Sequence, residues 1–120
     1  MEEDIPFDYD ERKRKVNWLK GIPFEHFGVH PYYFNRFGKP KHGVSLEQAK
    51  SIYNQFDKII EVFKRPARNG FKYCFVYKMN KKSSYYLIFL LDEKPMKLLN
   101  AYSAGKNIEN RLLKKFGFRQ

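Results

Sequence analysis

The sequence predicts an α+β fold with two N-terminal helices, an antiparallel meander sheet of three to four strands, and a C-terminal helix. Three observations predict it. Apolar residues at helical spacing follow capping residues in the first half. Strand alternation broken by short turns runs from residue 58 to residue 102. Helical spacing then returns after Gly105.

Asp8 to Lys20 reads as the first helix, capped by Asp8 or Asp10 and stopped by Gly21 and Pro23. Residues 22–43 read as an irregular aromatic insertion, with Phe24, Phe27, Tyr32, Tyr33, Phe34 and Phe37 among Pro31 and Pro40. A loop of that length in a compact domain is functional or conceals a short helix. Ser45 and Gln48 stand at capping-box spacing, and Leu46, Ala49, Ile52, Tyr53 and Phe56 share one face of the helix they open.

The period then changes. Lys58 to Lys64 reads as a strand closed by Arg65-Pro66, and Phe71 to Met79 alternates at strand period. Ser84 to Leu91 is apolar on both faces, which predicts a central strand. Met96 to Tyr102 completes the meander. The last helix turns Ile108, Leu112, Leu113 and Phe116 inward and Lys106, Arg111, Lys114 and Lys115 outward.

The 120 residues suit one domain, 1–120, with an acidic segment at 1–11. A hydrophobic content of 42%, with 18% aromatic, excludes a disordered chain. Cys74 is the single cysteine, which excludes an internal disulfide and a cysteine-built zinc site. It lies in an apolar run, so a buried, inert thiol is expected. There is no secretory leader pattern, and the longest apolar run is too short to span a bilayer. These features predict a cytoplasmic protein without a membrane partner, either on its own or delivered into a target cell as part of a larger one.

Charge is divided along the chain. The first eleven residues hold six acids and no base. From Arg12 onward, 24 Lys and Arg face 7 acids, a formal +17. No acid occurs between Val62 and Leu91, where Lys64, Arg65, Arg68, Lys72, Lys78, Lys81 and Lys82 stand. Such a surface attracts polyanions, and nucleic acid adds stacking surfaces that suit the many aromatic residues. Plain solubility and attraction to anionic lipid are the alternatives.

The sequence holds no phosphate loop, zinc motif, nucleophile elbow or dinucleotide fingerprint. Acids are scarce beyond the first helix, so neither a carboxylate-bound magnesium site nor any other cofactor is expected. A nuclease of this composition would use the ribose 2′-hydroxyl as nucleophile, with His, Tyr, Lys and Arg handling protons and charge. His42, on the turn before the Ser45 helix, is the first candidate for base or acid. His26, in the aromatic segment beside His30, is its substitute. Tyr102 is a candidate for proton transfer or phosphate orientation, and Arg68 for holding the scissile phosphate. Lys41, Arg65, Lys72, Lys106 and Arg111 are candidates for gripping the RNA backbone. Each has a plainer reading: an incidental loop histidine, a core-capping tyrosine, a solvated turn or a soluble helix face.

Phe7-Asp8-Tyr9-Asp10-Glu11-Arg12-Lys13 with Asn17 and Lys20, then Lys41-His42-Gly43 before an amphipathic helix, resembles the opening of BrnT-type toxins. Leu98-Leu99-Asn100-Ala101-Tyr102-Ser103 resembles the strand that reads Ile-Ser-Ala-Arg in BrnT and Thr-Ala-Tyr in relatives of the barnase-EndoU-colicin-RelE group. The resemblance implies a small α+β ribonuclease toxin neutralised by a partner protein; the scarcity of acids makes the expected RNA cleavage metal-free, and the +17 surface makes the expected partner an acidic antitoxin or immunity protein. Three departures stand beside the resemblance: the aromatic insertion separates the first two segments, Tyr102 replaces the BrnT arginine, and Asn100 stands where relatives have Ser or Thr. The alternative function is a non-enzymatic phage or mobile-element protein that binds nucleic acid or a nucleic-acid enzyme.

Overall fold

The alternation over Phe71–Met79 produces the middle of the sheet. In a computed structural model, which describes residues 3–36 and 44–117, four antiparallel strands form a meander. They are β3 (Ile59–Ala67), β4 (Gly70–Lys78), β5 (Ser84–Leu90) and β6 (Lys97–Ser103). Two strands of two residues extend it. β1 (Ile5–Pro6) pairs antiparallel with β3, and β2 (Gly28–Val29) pairs parallel with β6. The sheet therefore has six strands in the order β1-β3-β4-β5-β6-β2 rather than the expected three to four. Two residues are too few to show a period, so neither edge strand has a sequence signature.

The helix layout also differs from expectation. α1 (Tyr9–Lys20) and α3 (Leu46–Tyr53) occupy the expected places, each with a complete capping box, Asp8 with Glu11 and Ser45 with Gln48. The aromatic segment, expected as a loop, holds a 3-10 turn at Phe24–His26, then β2, then the short helix α2 (Pro31–Arg36). Pro31 is its first residue, where a missing N–H costs nothing. The last helix is α4 (Ile108–Phe116). β3 runs on through Arg65-Pro66 to Ala67 instead of stopping there. β1 reaches only as far as Lys64 along its outer side, so Pro66 sits in an edge, where strand proline is tolerated.

Helices lie on both faces of the sheet. Val16 and Leu19 of α1 and Ala49, Ile52 and Tyr53 of α3 pack with Val62, Phe75, Tyr77, Leu87 and Phe89 in the larger core. On the other face, Ile108 and Leu112 of α4 cover Cys74, Val76, Tyr86 and Phe63. Gly105 and Asn107 take left-handed backbone (φ 76° and 60°) in the turn that leads into α4, a conformation Gly and Asn adopt most readily. α4 covers only part of its face, and the uncovered part carries the cleft described below. Cys74 is buried beneath it as a free thiol, and burial pushes its pKa up.

Tyr53 is fully buried at the centre of the larger core. Its hydroxyl shares its proton between the Leu19 and Ile22 carbonyls, and its own carbonyl accepts from the Tyr77 hydroxyl. Phe24, Phe27, Phe56 and Phe89 surround the ring. Tyr53→Phe keeps the ring contacts and takes the phenol donor from the Ile22 carbonyl, while the Leu19 carbonyl keeps the Ile22 N–H. It should destabilise the protein by about 1–3 kcal/mol in urea unfolding. A loss near zero would show that water replaces the phenol there.

Candidate nucleic-acid cleft

Strand alternation decides which basic residues meet. Lys64 pairs with Tyr73 and Arg65 pairs with Lys72 across the β3–β4 hairpin. Adjacent residues of a strand point to opposite faces, so Arg65 and Lys72 project on the α4 side and Lys64 on the α1 side. Next to Arg65 and Lys72, on β5 and β6, stand Ile88, Leu90, Asn100 and Tyr102. Arg68 projects from the two-residue turn of the hairpin. His30 and Tyr32, at the start of α2, form the opposite wall. Together these residues line a cleft of about 530 Å³. A smaller hollow of about 150 Å³, reaching to Asp4 and Lys115, shares Arg65, Lys72, Ile88 and Tyr102 with it.

Tyr102 is half-buried and stacks edge-to-face on Tyr86, 5.1 Å between ring centres. Burial pushes its phenol up to about 12. Cys74 and Tyr86 add to that shift and Arg65 opposes it. The phenol is therefore a neutral donor near pH 7. His30 Nδ1 accepts from the Tyr32 N–H at 3.1 Å, which caps α2. The neutral ring then carries its proton on Nε2, an assignment made from that hydrogen bond. Asn100 is buried, with its Oδ1 accepting from the Ala101 N–H at 2.9 Å. Among the described residues, Glu93 is the one carboxylate lining the larger cleft, 3.6 Å from Lys97.

The acidic N-terminal segment closes one end of this basic surface. Arg65 Nε donates to Asp4 Oδ1 at 2.6 Å, and Lys115 of α4 pairs with the other carboxylate oxygen. Burial raises the Asp4 pKa, but the hydrogen bonds and charges of Arg65 and Lys115 outweigh it and leave the carboxyl below its ordinary value.

Of the nine candidates, the structure brings Tyr102, Arg68, Arg65 and Lys72 into one cleft. It places His26 elsewhere: exposed on its 3-10 turn, with its ring against Phe27. Arg111 is exposed on α4, and its charge acts on Tyr86 from outside the cleft. Lys106 is exposed in the turn before α4 rather than on the helix. Neither lines the cleft. His42 and Lys41 lie outside the described residues. His30, Tyr32, Asn100 and Glu93 are in the cleft without having been singled out. The signal for His30 was Pro31 behind it, which marks the first turn of a helix and makes its predecessor a cap. Among the described residues, no three His, Cys, Asp or Glu side chains come together as a metal site, and no helix is long and apolar enough to cross a membrane.

No family model matches this chain, and no curated protein or solved structure matches it.

Asp4 supplies a pH test of this arrangement. A carboxyl with a lowered folded pKa contributes stability above its unfolded pKa and loses it as pH falls through the folded value. The melting-temperature gap between wild type and Asp4→Asn should therefore be largest above about pH 5 and shrink toward about pH 3. A gap that stays constant across that range would show that Asp4 is held by packing, not by its charge.

Proposed function

We propose that this protein is a ribonuclease that cleaves single-stranded RNA in the α4-side cleft by attack of the ribose 2′-hydroxyl, without a metal ion. The observation that carries the reading is the meeting of Arg65, Arg68, Lys72, His30, Tyr102 and Glu93 around one cavity. Arg65, Arg68 and Lys72 provide positive charge for a phosphate and for the charge that grows on its oxygens. The His30 Nε2–H and the Tyr102 hydroxyl are donors lining the same cleft. Because His30 Nδ1 is engaged by the Tyr32 N–H, that ring serves as a donor, and the acceptor for the 2′-hydroxyl proton falls to Glu93.

In the step so assigned, Glu93 takes the 2′-hydroxyl proton as that oxygen bonds to phosphorus. The bond to the 5′-oxygen breaks, and the Tyr102 phenol protonates the departing oxygen. A phenol near 12 remains more acidic than the alcohol it forms, so the transfer runs downhill. Water returns the proton to Tyr102 and takes one from Glu93. The products are a 2′,3′-cyclic phosphate and a 5′-hydroxyl. The resemblance of the Asn100-Ala101-Tyr102 strand end to BrnT-type and barnase-EndoU-colicin-RelE ribonucleases supports the same class, resting on those short segments alone.

The same cations suit an acidic antitoxin or immunity protein as the neutralising partner. Asp4 already holds a carboxylate against Arg65, as such a partner would.

The test is a cleavage assay on single-stranded RNA with EDTA present. The wild type should yield cyclic-phosphate ends. Glu93→Gln and Tyr102→Phe should each be slower by roughly 10²-fold or more with nearly unchanged melting temperature. Arg68→Ala should weaken both binding and rate. Activity lost on chelation and restored by magnesium overturns the metal-free step. Tight binding with no product from any RNA would instead make the protein a non-enzymatic RNA-binding module.

A further inference from the structure

The opposite side of the β3–β4 hairpin carries a second basic and aromatic cavity, of about 350 Å³, that the cleavage reading does not use. On α1, Arg14 and Lys15 stand four and three residues before Trp18, so all three share one helix flank. That flank turns away from the core-facing Val16 and Leu19. Trp18 is 43% exposed, one of the few large apolar side chains in that condition. Lys15 Nζ lies 4.5 Å from the Trp18 ring centre and 4.8 Å from that of Tyr73. Lys64 Nζ sits 4.4 Å from the Phe71 ring centre, and Lys64 lines the cavity with Arg14 and Lys15. Two cations, Lys15 and Lys64, are thus held against aromatic rings, and Arg14 lines the cavity beside them.

The acids nearby are engaged. Glu11 lines the cavity, but its carboxylate accepts from the Asp8 N–H in the α1 capping box. The Asp92 carboxylate accepts from the Phe71 N–H and the Tyr73 hydroxyl. The cavity therefore keeps a positive balance beside an exposed indole.

We propose that this cavity is a second contact for single-stranded RNA, taking an unpaired base on the exposed side of Trp18 and a backbone phosphate between Arg14 and Lys64. The ligand class rests on the ribonuclease reading, while the site rests on its own residues. Base stacking on an exposed indole tolerates any sequence, and the flanking cations follow the backbone. The hairpin geometry links the two sites. Lys64 and Tyr73 face this cavity, while the next cross-strand pair, Arg65 and Lys72, faces the cleft. Among the described residues no strand pairs with the outer edge of β3 beyond Lys64. A strand bending around that edge meets both sites. The second contact would hold the substrate while the cleft cuts it.

Trp18 is the only tryptophan of the chain, so its fluorescence reports this site alone. Titration with a short 2′-O-methyl oligouridylate, which resists cleavage, should quench Trp18 emission saturably. Arg14→Ala and Lys64→Ala should shift the midpoint to higher concentration, each by roughly tenfold or less. Trp18→Ala should weaken binding of a labelled oligonucleotide, followed by anisotropy, by about tenfold. Oligonucleotide binding seen by anisotropy without any change in Trp18 emission overturns the second site. Equal quenching by inorganic polyphosphate overturns base stacking. The two readings separate cleanly. Quenching without cleavage of unmodified RNA keeps this site and removes the ribonuclease, and cleavage without quenching does the reverse.

Discussion

From the middle of the core, one phenol ties four parts of the chain together. The Tyr53 hydroxyl holds the carbonyl at the end of α1 and the carbonyl of Ile22, and its backbone carbonyl holds Tyr77 of β4. A two-residue strand such as β2 cannot keep its place on a sheet by its own hydrogen bonds. It is kept by Phe24 and Phe27, which lie against Tyr53, with Phe27 also on Phe89. Immediately after β2 come His30 and Tyr32, one wall of the cleft. The His30 N–H donates to the Leu98 carbonyl and continues the pairing with β6. The cleft on one face of the sheet therefore depends on an aromatic cluster on the other.

The second constraint is the half-covered sheet face. α4 is short, and its apolar side joins one small cluster with Ile60, Phe63, Cys74, Val76, Tyr86 and Ile88. A carboxylate bridge, Asp4 between Arg65 and Lys115, and the Lys78–Glu109 pair fasten it at the margins. The rest of that face keeps Ile88 and Leu90 at its floor and cations at its rim. An apolar floor with charged walls strengthens each polar contact made inside it, because water is partly excluded. The acid-free stretch from Val62 to Leu91 builds the hairpin and the central strand, with Lys64, Arg65, Arg68 and Lys72 at the cleft end of the sheet and Lys78, Lys81 and Lys82 at the other. The same hairpin sends Lys64 and Tyr73 to the other face, so basic and aromatic surface lies on both sides.

The central meander was legible because Phe71–Met79 alternates and the turns at Asn80–Ser83 and Asp92–Pro95 carry standard turn residues. α1 was legible from a cap at Asp8 or Asp10 and a stop at Gly21 and Pro23, and α3 from Ser45 with Gln48; the structure settles the first cap on Asp8, paired with Glu11. β1 and β2 were not, since two-residue strands are specified by tertiary contacts alone. Pro66 read as a strand end because its edge position depends on where β1 stops. Tyr102 and Arg68 were picked out as catalytic candidates and Arg65 and Lys72 as backbone grips, among others; the strand register is what brings these four to one cleft. His30 was passed over in favour of His26 and His42, because the helix start at Pro31 was hidden in an aromatic run. Glu93 was read only as part of a turn. Its place in the cleft follows from the β5–β6 connection, which no local pattern encodes.

The most direct test of the central claim is backbone amide shift mapping with a 2′-O-methyl RNA that cannot be cut. The account predicts strong shifts at His30, Arg68, Lys72, Asn100 and Tyr102, around the α4-side cleft. Saturable binding that leaves those five amides unmoved would contradict it, whatever else in the protein responds.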